Sequence, residues 1–178
     1  MTFSELQHIT SQEFFSKNFE LWDKDWLLLT SGDYSSGKFN SMVVAWGGFG
    51  IMWNKPMAMV VVRPTRHTFS FINSFDTFSL CAFPEQYRSA MNLLGTRSGR
   101  DGDKMKDAGL TPVSSSVIAA PAFKEAELVF ECQKIYWDDL EPQHFLDSRI
   151  EKNYAKKDYH RMFFGEVLRI IGDAQKYS

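Results

Sequence analysis

Four short stretches of this sequence gather side chains that can do chemistry. The first is MVVVRPTRHTF at residues 59–69, an apolar strand that runs straight into Arg63, Arg66, His67 and Thr68. Pro64 steers Arg63 away from helical geometry, so the strand ends there and a helix starts near residues 65–67. The first turn of a helix offers free N–H groups and the positive end of the peptide dipole. Two guanidinium groups beside it repel each other unless an anion sits between them, and a phosphate matches the guanidinium fork. The alternative is that both arginines are solvated or pair with carboxylates elsewhere in the fold.

The second stretch, NSMVVAWGGFG, places Asn40 and Ser41 ahead of an apolar strand containing Met42 and Val43, which ends at Trp46, Gly47 and Gly48. Glycines there let a backbone approach a planar ligand closely, or form a plain bulge or turn. The third, TRSGRDGDK, brings Ser98, Gly99, Arg100, Asp101 and Lys104 together in a polar loop. It lacks the spacing of a P-loop. It reads either as a loop closing over an anion or as a solvated turn with internal Arg–Asp pairs. The fourth, KDYHRMFFGEV, sets His160 at the mouth of a strand near Asp158 and Glu166. A neighbouring carboxylate raises a histidine pKa or orients its ring, which suits a proton donor or an anion contact, while a lone histidine is also an ordinary structural residue. No metal-ligand spacing, nucleophile elbow or Rossmann glycine pattern accompanies these stretches.

The elements that must position them are mostly short strands. Residues 26–32, 57–63, 76–83, 127–140 and 161–174 are strand-like, with residues 76–83 alternating as a half-buried strand does. Residues 11–23 carry Phe14, Phe15, Phe19 and Leu21 in a pattern predicting an amphipathic helix opened by a serine cap. Residues 41–53 read as one Gly-rich apolar segment closed by a turn at Asn54, Lys55 and Pro56. Residues 84–95 begin with Pro and end with Gly, as a helix does. Many strands and few helices predict a β-barrel or sandwich with helical excursions rather than a doubly wound parallel sheet.

The chain has 178 residues, 44% of them hydrophobic, including sixteen Phe, which suits a single domain over residues 1–178 and excludes disorder. A net charge of -2 argues against nucleic acid and anionic membrane as partners. The two cysteines and the absence of a signal-like first segment point to a cytoplasmic protein with buried free thiols.

Taken in order, N-S-M with Trp-Gly-Gly, then W-N-K-P, V-R-P-T-R-H-T, S-G-R-D-G-D-K and D-Y-H-x-x-F-F-G-E-V resemble the flavin reductase-like, FMN-binding split-barrel proteins, and among them the flavoredoxin-like group. The resemblance extends from about residue 26 to residue 172. It implies a mainly β fold, a six-stranded antiparallel split barrel with Greek-key connections, and a homodimer with flavin near the interface. It implies FMN rather than FAD as cofactor, NAD(P)H as a hydride donor, and flavin reductase-like or flavoredoxin-like electron transfer. The alternative within it is an electron carrier or flavin store without NAD(P)H turnover. By motif, Asn40, Ser41, Met42, Val43, Trp46, Gly47 and Gly48 line the ring and ribityl chain. Arg63, Arg66, His67 and Thr68 hold or flank the phosphate. Ser98, Gly99, Arg100, Asp101 and Lys104 approach it from the other side, and His160 stands at the flavin or nicotinamide edge as the catalytic candidate. The strand around residue 41 departs from the Thr/Ser-rich, Pro-anchored version of many NAD(P)H-dependent members, so the flavin is implied more directly than its electron donor.

Overall fold

The computed structural model describes residues 3–100, 102 and 104–178. Its body is one antiparallel sheet. In chain order the strands are β1 (Gln7–Ile9), β2 (Leu27–Asp33), β3 (Lys38–Val44), β4 (Gly47–Met52), β5 (Lys55–Val62), β6 (Thr77–Ala82), β7 (Pro112–Val113), β8 (Ala122–Phe123), β9 (Leu128–Asp139) and β10 (Arg161–Gly172). They run in the order β3-β2-β6-β9-β10-β5-β4, with β1 added on β10 and β7 paired with β8 apart. The two edge strands, β3 and β4, are joined through only Ala45 and Trp46, so the sheet must curl until its ends meet. That is a barrel split along one seam. Its main sheet has eight strands rather than six: seven follow one another across the sheet and β1 adds to β10.

Local chemistry explains the turns. Between β2 and β3 the Asp33 carboxylate accepts from Ser35 N at 2.9 Å and Ser35 Oγ at 2.7 Å, and Gly37 takes φ +68°. Between β4 and β5 the turn is at Trp53 and Asn54, both with positive φ, one residue earlier than the sequence suggested. The apolar run over residues 41–53 is thus two strands broken at Ala45 and Trp46.

Helix α1 (Asn18–Glu20) continues as a wide turn over Leu21–Asp25, and the helix expected over residues 11–23 is absent before it. Glu13 bonds back to Thr10, Phe15 N donates to Tyr177 O at 2.8 Å, and Phe14 turns inward to meet Phe49 and Phe130 edge-on. Those tertiary contacts outweigh the helical pattern. Helix α2 (His67–Ser74) bridges β5 and β6 and packs against β2 and β3. Lys134 donates to the carbonyls of Ile72, Asn73 and Phe75 at its C-terminal end. Helix α3 (Arg88–Thr96) follows a short 3-10 turn at Glu85–Tyr87, α4 spans Lys104–Asp107, and α5 spans Ala174–Tyr177.

Alternate residues of the central strands serve two cores. Leu27, Leu29, Phe78, Leu80, Phe130 and Phe163 fill the barrel. Leu28, Cys81 and Val129, on the opposite faces, pack under α3 with Met91, Leu94 and Phe123. For this reason β6 is buried on both faces, not half-buried as its alternation suggested. No described helix is long and apolar enough to cross a membrane.

Candidate functional site

The barrel seam and the start of α2 frame two adjoining clefts. One, of about 240 Å³, is lined by Met42, Val43, Val44, Ala45 and Trp46 at the end of β3, by Val61 of β5 with Arg63 and Arg66 beyond it, and by His160 just before β10. The other, of about 160 Å³, is lined by Asn40, Met42, residues 65–68, residues 96–100 and Lys104. Met42 and Arg66 belong to both. The first cleft is mostly apolar and aromatic, and the second is cationic.

The cationic cleft is built by three elements. Helix α2 begins at His67 with no side chain capping its first turn. Thr68 is buried and accepts from Asn40 Nδ2 at 2.7 Å, tying the helix start to β3. Residues 96–100 leave α3 and pass over this pair. A Cβ on Gly99 would lie 2.1 Å from Asn40 Oδ1 and 3.1 Å from the His67 ring, so only glycine lets the loop lie so close. From the far side Lys104, 4% exposed, sends its ammonium to the carbonyls of Leu94 at 3.3 Å and Arg97 at 3.2 Å. Arg66 donates to Gly95 O at 3.2 Å.

Carbonyl oxygens answer part of these charges, but among the described residues no carboxylate lines the cleft. Burial first, and then the Arg66 charge, bring the Lys104 ammonium down to about 8. Burial, with Arg100 and Lys104 adding repulsion, also lowers the His67 imidazole below its ordinary value. A buried cationic group that meets only carbonyl oxygens among the described residues favours an anion.

In the apolar cleft Trp46 is half exposed and tilts against the His160 ring at 5.2 Å. His160 is buried, and its Nδ1 lies 2.8 Å from Tyr154 Oη. The carboxylate expected to raise its pKa is outweighed. Burial first, then the Arg63 charge, bring it down to about 4, while Asp158 pulls the other way. The Asp158 carboxylate is spent on Arg63, whose Nη1 it accepts at 2.8 Å. His160 is therefore a neutral ring at pH 7, not a cationic proton donor.

The two arginines separate. Arg66 faces the cationic cleft, whereas Arg63 pairs with Asp158, donates to Asn153 O at 2.8 Å and lies over the Tyr154 ring. The sequence residues Asn40, Met42, Val43, Trp46, Arg63, Arg66, His67, Thr68, Ser98, Gly99, Arg100, Lys104 and His160 line one or both clefts. Ser41 does not: it is fully buried and shares a 2.7 Å hydrogen bond with Thr30. Gly47 and Gly48 lie outside both linings. The first of them makes room for Trp22, whose ring a Cβ would meet at 2.5 Å. Arg97 pairs outside the polar loop, with Asp107 of α4 at 2.6 Å, while both aspartates of the loop itself, Asp101 and Asp103, lie outside the described residues. Sequence reasoning missed Thr65, Thr96, Arg97 and, above all, Tyr154, since nothing in the spacing of an isolated tyrosine links it to His160.

Comparison with known proteins agrees with this architecture. Residues 26–177 match the model of the flavin reductase like domain. An FMN-binding domain of a flavin reductases-like enzyme from Shewanella baltica superposes with a TM-score of 0.69 at 18% identity, covering 96% of this chain and 78% of that one. Flavoredoxin of Desulfovibrio vulgaris gives 0.65 at 21% identity over 93% and 77%, and nitrilotriacetate monooxygenase component B from Bacillus cereus gives 0.63 at 20% over 91% and 79%. An uncharacterized protein of Pyrococcus abyssi is 28% identical over 114 residues, which are 63% of this chain and 54% of that protein, so the match spans about half of that relative. With most of its length covered by one family model, on a split-barrel fold, this chain belongs to the flavin reductase-like family.

Proposed function

We propose that this chain is an FMN-binding oxidoreductase whose ring site is the cleft of Met42, Trp46 and His160 and whose phosphate site is the cleft of Arg66 and Lys104. The observation that carries this reading is the junction of the two clefts at Met42 and Arg66. A flavin mononucleotide has one planar apolar end and one dianionic end, and the two clefts offer matching environments side by side. Bound FMN supplies the hydride and electron chemistry. The chain's residues bind, orient and shield it. Arg66, Lys104 and Arg100 meet the phosphate with charge, and the uncapped start of α2 adds N–H groups. Val44, Ala45 and Trp46 line this cleft, so their backbone amides would be the groups available to the edge of the ring, and the Trp46 indole would limit solvent access to it.

NAD(P)H is the proposed hydride donor, with the electron-carrier role as the second reading. The departure of the β3 segment from the Thr/Ser-rich version favours that second reading. The half-exposed Trp46 at the rim supports a homodimer in which a second copy of the chain covers it and the flavin lies near the interface. Anaerobic visible spectra decide between the two roles. Bleaching of the flavin bands on adding NADH or NADPH fits the reductase, and bound flavin that stays oxidised fits the carrier. A chain that takes up no flavin contradicts both.

A further inference from the structure

We propose that Tyr154 is a positioning residue for His160: its hydroxyl donates to Nδ1, which fixes the ring in the tautomer that keeps the proton on Nε2 as a donor for the cleft. The inference deepens the flavin reading above and rests on it only for what that donor meets, an acceptor atom on a planar heterocycle.

The direction of the Tyr154–His160 bond follows from burial. Tyr154 is 3% exposed, and its Oη lies 2.8 Å from Nδ1 of a ring that is itself buried. No other hydrogen bond of this hydroxyl is found among the described residues. If Nδ1 carried the proton and donated, the phenol proton would be left buried without an acceptor, at a cost of about 1–3 kcal/mol. With the phenol donating, both groups are satisfied. Imidazole then has its second proton site at Nε2, on the other edge of a ring that lines the cleft.

The surroundings hold the pair still. Tyr154 ends the 3-10 segment Ser148–Tyr154, and its ring stacks with Phe145 at 5.9 Å and meets the tilted Tyr159 ring at 4.9 Å. Arg63 covers the Tyr154 ring at 4.9 Å and is anchored by Asp158 and Asn153 O. The charged groups that act on His160 are thus Arg63, which opposes an imidazolium, and Asp158, which favours one, with the Trp46 indole on the remaining side. Burial and Arg63 prevail, and the ring stays neutral over the ordinary working range. A phenylalanine at position 154 would preserve the stacking and lose only the proton that selects the tautomer.

The test uses full-length, flavin-free protein labelled with 15N-histidine, with the His160 ring signals assigned by their loss in His160→Gln. In the unsubstituted protein, the His160 ring is expected in the Nε2–H form alone between about pH 6 and 8. In Tyr154→Phe it is expected as a mixture of tautomers. An Nδ1–H form in the unsubstituted protein overturns the proposal, as does an unchanged single tautomer in a folded Tyr154→Phe. If that variant does not fold, the first measurement decides alone. Saturation with FMN is then expected to shift the Nε2–H signal. No shift, with the tautomer as proposed, overturns the placement of the flavin ring and leaves the role of Tyr154 standing.

Discussion

Replacing Arg66 by alanine is expected to weaken FMN binding far more than replacing Arg63. Arg66 lines the cationic cleft with Lys104, where no described carboxylate offsets the charge. A hydrogen bond to a charged group contributes about 1.5–3 kcal/mol, so losing one to phosphate corresponds to an affinity loss of roughly 10- to 150-fold. Arg63 points its guanidinium at Asp158 with the two side chains 25% and 15% exposed, and it lines only the ring cleft. Its loss affects FMN indirectly, within about 3-fold, the scale of a contact worth under 1 kcal/mol. The assay is calorimetric titration of flavin-free protein with FMN and, in parallel, with riboflavin, which lacks the phosphate. Arg66→Ala should narrow the gap between the two ligands by lowering FMN affinity alone. Equal losses for both flavins, or a larger loss in Arg63→Ala, would refute the assignment of charge to the two clefts.

Other consequences are open to measurement. Because the Lys104 ammonium is brought down to about 8 in the flavin-free protein, FMN affinity should fall as pH rises through that value, and binding near pH 8 should take up protons. Lys104→Met should remove both effects. The folded pKa is below the unfolded one, so for this lysine the cost of holding its charge is present below about 8 and is relieved as pH rises toward the free-lysine range. Thermal melts of flavin-free protein should therefore lose less stability over that interval than those of Lys104→Met. Gly99→Ala forces its new methyl into Asn40 and should break the Asn40–Thr68 bond, lowering stability by about 1 kcal/mol and weakening FMN binding together. Melting curves and titration read these two effects separately. Lys134→Met removes three hydrogen bonds at the end of α2 from a partly exposed ammonium and should cost about 1–2 kcal/mol in urea unfolding.

The sequence carried the strands well where the pattern was long and the ends were marked. Residues 128–139 and 161–172 alternate or run apolar over twelve positions each, and both appear as the longest strands. It carried the start of α2 because Pro64 restricts the residue before it. It failed at residues 11–17, where a helical pattern of phenylalanines serves instead to send Phe14 into the barrel mouth. It also failed to see the break at Ala45 and Trp46, since a strand that leaves one sheet edge and begins the other has no local signature. Within the site, residue types indicated an anion and a planar group, but pairing decides which arginine is free. Asp158 is ninety-five positions from Arg63, and no spacing rule joins them. That same long-range pairing brings the Arg63 charge to His160, and with burial of the ring it lowers the pKa where the neighbouring Asp158 alone suggested a rise.

The most direct test of the central claim is a crystal structure of the chain with FMN. The phosphate is expected within hydrogen-bond reach of Arg66, Lys104 and the first turn of α2, with the ring in the cleft of Met42, Trp46 and His160. A phosphate bound away from Arg66 and Lys104, or a ring lodged outside that cleft, would contradict it.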